Sequence, residues 1–104
     1  MNLDEIAAIL GAIDPEIRHY WTMGTGRPYT WWAEKHRLDI TADDRHTEDA
    51  WAFEVHRFAV DEDDPMPSAI FAALDSMPNV TVEWLNEREQ DTDYIHHVFD
   101  CEVV

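Results

Sequence analysis

One cysteine, Cys101, stands among 104 residues, so no disulfide can close within the chain, which fits a reducing compartment. No apolar run approaches the roughly 18–20 residues that span a bilayer. The start, MNLDEIAAIL, lacks the basic segment of a secretory signal. The chain therefore reads as cytoplasmic, without a targeting segment. Basic residues are scarce: seven against 23 acids, with Lys35 the one lysine. A net charge of −16 repels nucleic acid and anionic membranes alike, because binding to duplex DNA depends on cations that displace condensed counterions. Three explanations of the acidity compete. It can be the solvated surface of a lysine-poor or salt-adapted proteome, a surface that mimics DNA, or a lining along which DNA slides without adhering.

Catalytic signatures are missing as well. The glycines form neither GxGxxG nor a P-loop, and Ser68 and Ser76 sit in no nucleophile elbow. Cys101 falls among apolar neighbours on a strand face, the setting of an inert buried thiol. Six histidines invite a metal, but no HxxxH or HxH pair occurs. His96 and His97, adjacent on a strand, point to opposite faces and cannot share an ion. Asp43-Asp44 and the run Asp61 to Asp64 lack the ordered spacing of a calcium loop. The expectation is no catalytic residue, no metal and no cofactor.

What is present is a folded domain's worth of apolar residues: 45% hydrophobic, with five Trp, four Phe and three Tyr. The length suits one domain, residues 1–104, with one modest core. Leu3, Ile6, Leu10 and Ile13 recur at helical spacing, with Asp4 and Glu5 in the first turn and Asp14-Pro15 as the stop. Ile17 to Met23 and Tyr29-Thr30-Trp31-Trp32 have strand composition. The polar stretch Glu34 to Asp49 reads as a long hairpin excursion.

Trp51, Phe53 and Val55 alternate with Ala52, Glu54 and His56, the pattern of a half-buried strand. Asp64 and Pro65 mark a helix start, as N-cap and first helical residue. Ile70, Phe71, Leu74 and Met77 mark one face of that helix, which ends near Pro78. Val80, Val82 and Trp84 suggest a strand, and Tyr94 to Val104 another. That last strand sets Ile95, His97, Phe99, Cys101 and Val103 on one face. The spacing predicts an α+β fold with two helices and a mostly antiparallel sheet, in the order α-β-β-β-α-β-β. Trp31 and Trp32 place one indole on each sheet face, and an uncovered one would anchor an interface.

Read together, Pro28-Tyr29-Thr30-Trp31-Trp32, Ala42-Asp43-Asp44, Trp51-Ala52-Phe53-Glu54-Val55 and Asp64-Pro65, with the helix and closing strand after them, form a sequence of elements. It resembles the tail-terminator, or tail-completion, proteins of long-tailed phages and prophages. The single lysine, doubled tryptophan and extra acidity depart from that family's usual pattern. The resemblance implies a structural protein, not an enzyme. It would form a homo-oligomeric ring, usually hexameric, that caps the tail tube and docks on the head connector, with DNA passing through the lumen. It implies assembly in the host cytoplasm and a place in the virion's tail or neck. In that setting Trp31 or Trp32 is the expected apolar anchor, and the excursion, with Asp43, Asp44 and Arg45, the expected contact loop. The rival class is an acidic inhibitor, a nuclease-immunity or anti-defence DNA mimic, which would act as a monomer or dimer on a basic protein.

Overall fold

The computed structural model describes residues 2–22, 26–37, 41–42, 45–46 and 51–103. Helix α1 spans Leu3–Ile13. Asn2 starts it, its Oδ1 accepting the Glu5 N–H at 2.9 Å, the bond an N-cap provides to an otherwise orphan donor. Asp14 ends it in an extended conformation, as the residue before Pro15 must. The following strands are β1 (Arg18–His19), β2 (Tyr29–Arg37), β3 (Thr41–Ala42), β4 (Arg45–His46) and β5 (Trp51–Ala59). Helix α2 (Met66–Asp75) precedes β6 (Val80–Arg88) and β7 (Ile95–Val103).

The main sheet has five strands in the order β1-β2-β5-β7-β6. All its pairings are antiparallel except the two-residue parallel contact of β1 with β2. The fold is α+β, and the main sheet and helices follow the expected order. The excursion adds a separate ladder, β3 with β4. It is shorter than expected, because β2 continues through Glu34 to Arg37 and pairs with β5 to Trp51. Between Glu34 and His36 the register slips, leaving Lys35 unpaired, the signature of a β-bulge.

Both helices cover one face. Ile6 and Leu10 of α1 and Ile70 and Leu74 of α2 pack with Trp32, Phe53, Val55, Phe99, Cys101 and Val103 of the sheet. The strand residues of that core alternate along β5 and β7, as period-2 geometry requires. Helix α2 starts one residue later than expected, with Pro65 at the cap position and no side-chain cap of its own. Asp64 still supplies the missing acceptor, its Oδ1 taking the Met66 N–H at 2.9 Å. The helix also closes at Asp75, before Pro78, because Met77 and Val80 already turn back through Met77 N–H to Leu74 O and Val80 N–H to Met77 O.

A buried ion cluster ties both helix ends to the sheet. Arg57 of β5, 8% exposed, donates from Nε and Nη2 to Asp64 Oδ2 at 3.0 and 2.8 Å. Its Nη1 donates to Thr30 Oγ1 at 3.1 Å and lies 3.7 Å from Asp14 Oδ2. Asp14 closes α1 and Asp64 opens α2, so one guanidinium fixes where both helices meet the sheet. A planar fork suits this task better than a lysine. On the far side Tyr94 pins the 26–28 segment, its hydroxyl donating to Arg27 O at 2.9 Å and accepting the Gly26 N–H at 2.8 Å. Gly26 has φ +83, a conformation in which a side chain is strained.

Candidate functional site

The second sheet face is covered by neither helix. Along β2, β5 and β7 the alternation places there Tyr29 and Trp31, then His56 and Phe58, then His96 and Val98. Aromatic rings and imidazoles stack into a band across the three strands. Trp31 lies on His56 at 3.9 Å with an interplanar angle of 11°. Tyr29 lies on Phe58 at 4.5 Å, and Phe58 on His96 at 4.0 Å. The packing of these flat groups against one another leaves His56 only 8% exposed although no helix covers it. This also explains why β5, expected to be half-buried, is buried on nearly every residue.

Hydrogen bonds run through the band. His56 Nε2 meets Glu54 Oε2 at 2.6 Å, and His56 Nδ1 meets His96 Nε2 at 2.7 Å. His96 Nδ1 lies 3.6 Å from Glu89 Oε2. Burial, then the neighbouring His56, holds His96 below the ordinary histidine range, against the pull of Glu89 and Glu87. Beside the band Lys35 bridges Glu54 at 3.5 Å and Asp100 at 3.3 Å. The hydrogen bond to Asp100 chiefly raises the lysine's pKa; burial opposes it and both carboxylate charges assist. At this end small Ala52 leaves a depression of about 300 Å³, lined by Lys35, Glu83, Asp100 and Glu102 among others.

Of the residues expected to contact partners, the two tryptophans part company. Trp32 is 2% exposed and lies in the core, so it is withdrawn from any surface. Trp31 stands on the face that neither helix covers, its indole N–H buried without an acceptor among the described residues. Asp43 and Asp44 lie outside the described residues. Arg45 belongs to β4 and pairs with Ala42. The structure joins Trp31 to His56 and, through it, to His96. The pairing of His56 with His96 was missed in sequence, since it depends on the register of β5 against β7. The only available signal was that each lay on the second face of its own strand.

A further cluster sits at the β1 edge. His19 stacks between Tyr20 (4.1 Å) and Trp32 (4.2 Å), and its Nε2 meets Glu34 Oε2 at 2.6 Å. The Tyr20 hydroxyl donates to Glu34 Oε1. Burial would raise the Glu34 carboxyl, but the bonds from Tyr20 and His19 outweigh it and hold it below its usual value. The bond to Glu34 raises the Tyr20 hydroxyl. Beside it Trp21 is 68% exposed.

On the helix side, Trp84 Nε1 donates to His97 Nδ1 at 2.9 Å. His96 and His97 thus face opposite ways, as their adjacency requires. Burial raises the Cys101 thiol to about 12. Among the described residues no three His, Cys, Asp or Glu side chains converge as a metal site, and no helix is long and apolar enough to cross a membrane. No known protein family matches the chain, and no curated protein does.

Proposed function

We propose that this protein is an assembly component of the tail-terminator or tail-completion type, which works by binding protein partners and not by catalysis. Copies of the chain form a ring that caps a tail tube and meets the head connector, and the acidic lumen lets DNA pass without adhering. One structural observation carries the reading beyond the resemblance in element order. Strand β6 is nine residues long and, among the described residues, pairs on one side only, with β7. Its outer row of N–H and C=O groups is a template for a further strand, and Leu85 on it is 52% exposed. An edge of this kind suits a subunit that joins its neighbours. Six copies at −16 each bring −96 together, but charges are screened over roughly 8 Å at physiological salt. Assembly is therefore favoured by added salt.

The test is solution mass by light scattering after size exclusion, at low and high salt, for the wild type and Leu85→Asp. A ring-sized species that grows with salt and is lost in the variant supports the reading. So does co-sedimentation with a purified tail tube, for a ring that forms only there. A strict monomer that also fails to bind a tube overturns it.

A second reading has its own observation: the depression beside Lys35, lined by Glu83, Asp100 and Glu102, offers carboxylates to a cationic side chain. It favours an acidic inhibitor that binds a basic protein as a monomer or dimer. Capture of a basic nuclease at one-to-one stoichiometry, weakened by Asp100→Asn, would select this reading over the ring.

A further inference from the structure

The histidine pair on the face that neither helix covers has a proton count that its contacts dictate. Glu54 Oε2 lies 2.6 Å from His56 Nε2, and a carboxylate only accepts, so His56 Nε2 carries a hydrogen. Neutral His56 then has a bare Nδ1. That atom lies 2.7 Å from His96 Nε2, so His96 Nε2 carries a hydrogen and donates it. In the neutral pair the remaining bare nitrogen is His96 Nδ1, which faces the Glu89 carboxylate at 3.6 Å. The opposite tautomers would set a bare His56 Nε2 against Glu54 at 2.6 Å, lone pair against lone pair, and are disfavoured.

One added proton has a place to go. On His96 Nδ1 it turns a lone pair facing Glu89 into an N–H facing it. Glu87, paired with His96 across β6 and β7, adds to the attraction. The resulting imidazolium lies flat on the Phe58 ring at 4.0 Å, and cations are attracted to ring faces. A second proton has no such place. It would load His56 Nδ1 and set two N–H donors against each other at 2.7 Å, and it would put two positive charges on touching rings. Lys35, already 3.5 Å from Glu54, adds to the repulsion. His97, the next residue, faces the other side of the sheet and takes no part in these contacts.

We propose that His56 and His96 form a one-proton latch between β5 and β7: the pair holds closed with zero or one added proton and opens with the second, freeing the Trp31 and Phe58 ring faces. Mild acid then unmasks aromatic surface on the side of the sheet that the helices leave bare, while the core on the other side stays packed. The inference is independent of the ring or inhibitor reading, since it rests only on these contacts.

The test is a pH titration from 8 to 4.5 followed by nitrogen NMR of the imidazoles and the indole N–H signals. At pH 8 both rings should report Nε2–H tautomers, with a through-hydrogen-bond coupling between His56 Nδ1 and His96 Nε2. The second proton should bind at least about tenfold more weakly than the first, as for two groups coupled by more than one pK unit. The Trp31 indole signal should move with the second step only. Glu89→Gln, at a partly exposed site, should weaken the first proton several-fold, and His56→Gln should let His96 titrate in one simple step. Overturning results are two rings that titrate independently with ordinary affinities, or a Trp31 signal that follows the first proton. Lack of any effect of Glu89→Gln on the first step would also overturn it.

Discussion

Trp31 and Trp32 are neighbours in sequence and lie on opposite faces of one sheet: Trp32 edge-on to Phe53 in the core, Trp31 flat on His56 at 3.9 Å. The two positions should therefore respond differently to substitution. Trp32→Ala opens a cavity in the core beside Phe53 and should cost about 3–5 kcal/mol, as for other buried aromatics. Trp31→Ala should cost about 1–2 kcal/mol, the value of a stacked, partly exposed ring. Trp31→Phe should be close to neutral, because it keeps a ring over His56 and removes an indole N–H that is buried without an acceptor among the described residues. Urea unfolding of the three variants checks this order. Equal losses at both positions would contradict the assignment of faces.

Among the described residues Arg57 is the one cation that reaches Asp64, Thr30 and Asp14 together. Arg57→Ala leaves two carboxylates at the helix ends without their shared counterion. It should cost about 3–5 kcal/mol, as when one partner of a buried pair is removed. Adding Asp14→Asn to that variant should recover part of the loss, while Asp14→Asn alone should be destabilising. Thermal unfolding of this double-mutant cycle decides it. Additive losses would mean that the 3.7 Å contact contributes nothing.

Much of the fold was legible because it rests on short-range rules. Leu3, Ile6, Leu10 and Ile13 define α1 by their spacing, and Asp14-Pro15 closes it where the structure does. The alternation in β5 and β7 was equally plain, so the two faces of β7 were sorted correctly. What stayed hidden depends on contacts between distant residues. That Trp32 is the inward indole follows from its pairing with Val55, which no local pattern encodes. The meeting of His56 with His96 needs the β5–β7 register, and the role of Arg57 needs both helix ends in place. The extension of β2 through Glu34, Lys35 and His36 was obscured by their charge, which reads as loop. There a bulge at Lys35 turns the lysine toward Glu54 and Asp100.

Cys101 should be chemically silent in the folded protein. It is 1% exposed, its thiol donates to Phe99 O at 3.5 Å, and burial pushes its pKa to about 12. At pH 8 only about one thiol in ten thousand would be ionised, against roughly a quarter for a free cysteine. Reaction with a thiol-specific disulfide reagent should follow the rate of unfolding and become immediate in denaturant. Rapid labelling under native conditions would show that the β7 core opens far more easily than its packing implies.

Stability should fall as the pH drops below the ordinary histidine value, before most carboxylates titrate. His97 Nδ1 accepts the Trp84 indole N–H at 2.9 Å, so protonation of that nitrogen destroys the bond. Burial, reinforced by Arg57 and opposed by Asp64, holds His97 below its usual range, and burial with His56 does the same for His96. Both groups bind protons more weakly folded than unfolded. Their contribution is therefore complete above about pH 6.5 and is lost as the pH falls from there through their folded values. The slope is at most about 1.4 kcal/mol per pH unit for each proton the unfolded chain takes up in excess. Glu34, held low by Tyr20 and His19, adds a loss of the same sign only below the ordinary carboxylate range. Neutralising part of the −16 charge acts in the opposite direction, chiefly where carboxylates titrate. The window from pH 7 to 5 thus isolates the histidines. Urea midpoints across it should decline in the wild type and decline less steeply in His97→Gln, which keeps the His96 contribution and whose amide also accepts from Trp84. A midpoint that rises steadily from pH 7 to 5 would mean that relief of charge repulsion outweighs both buried imidazoles.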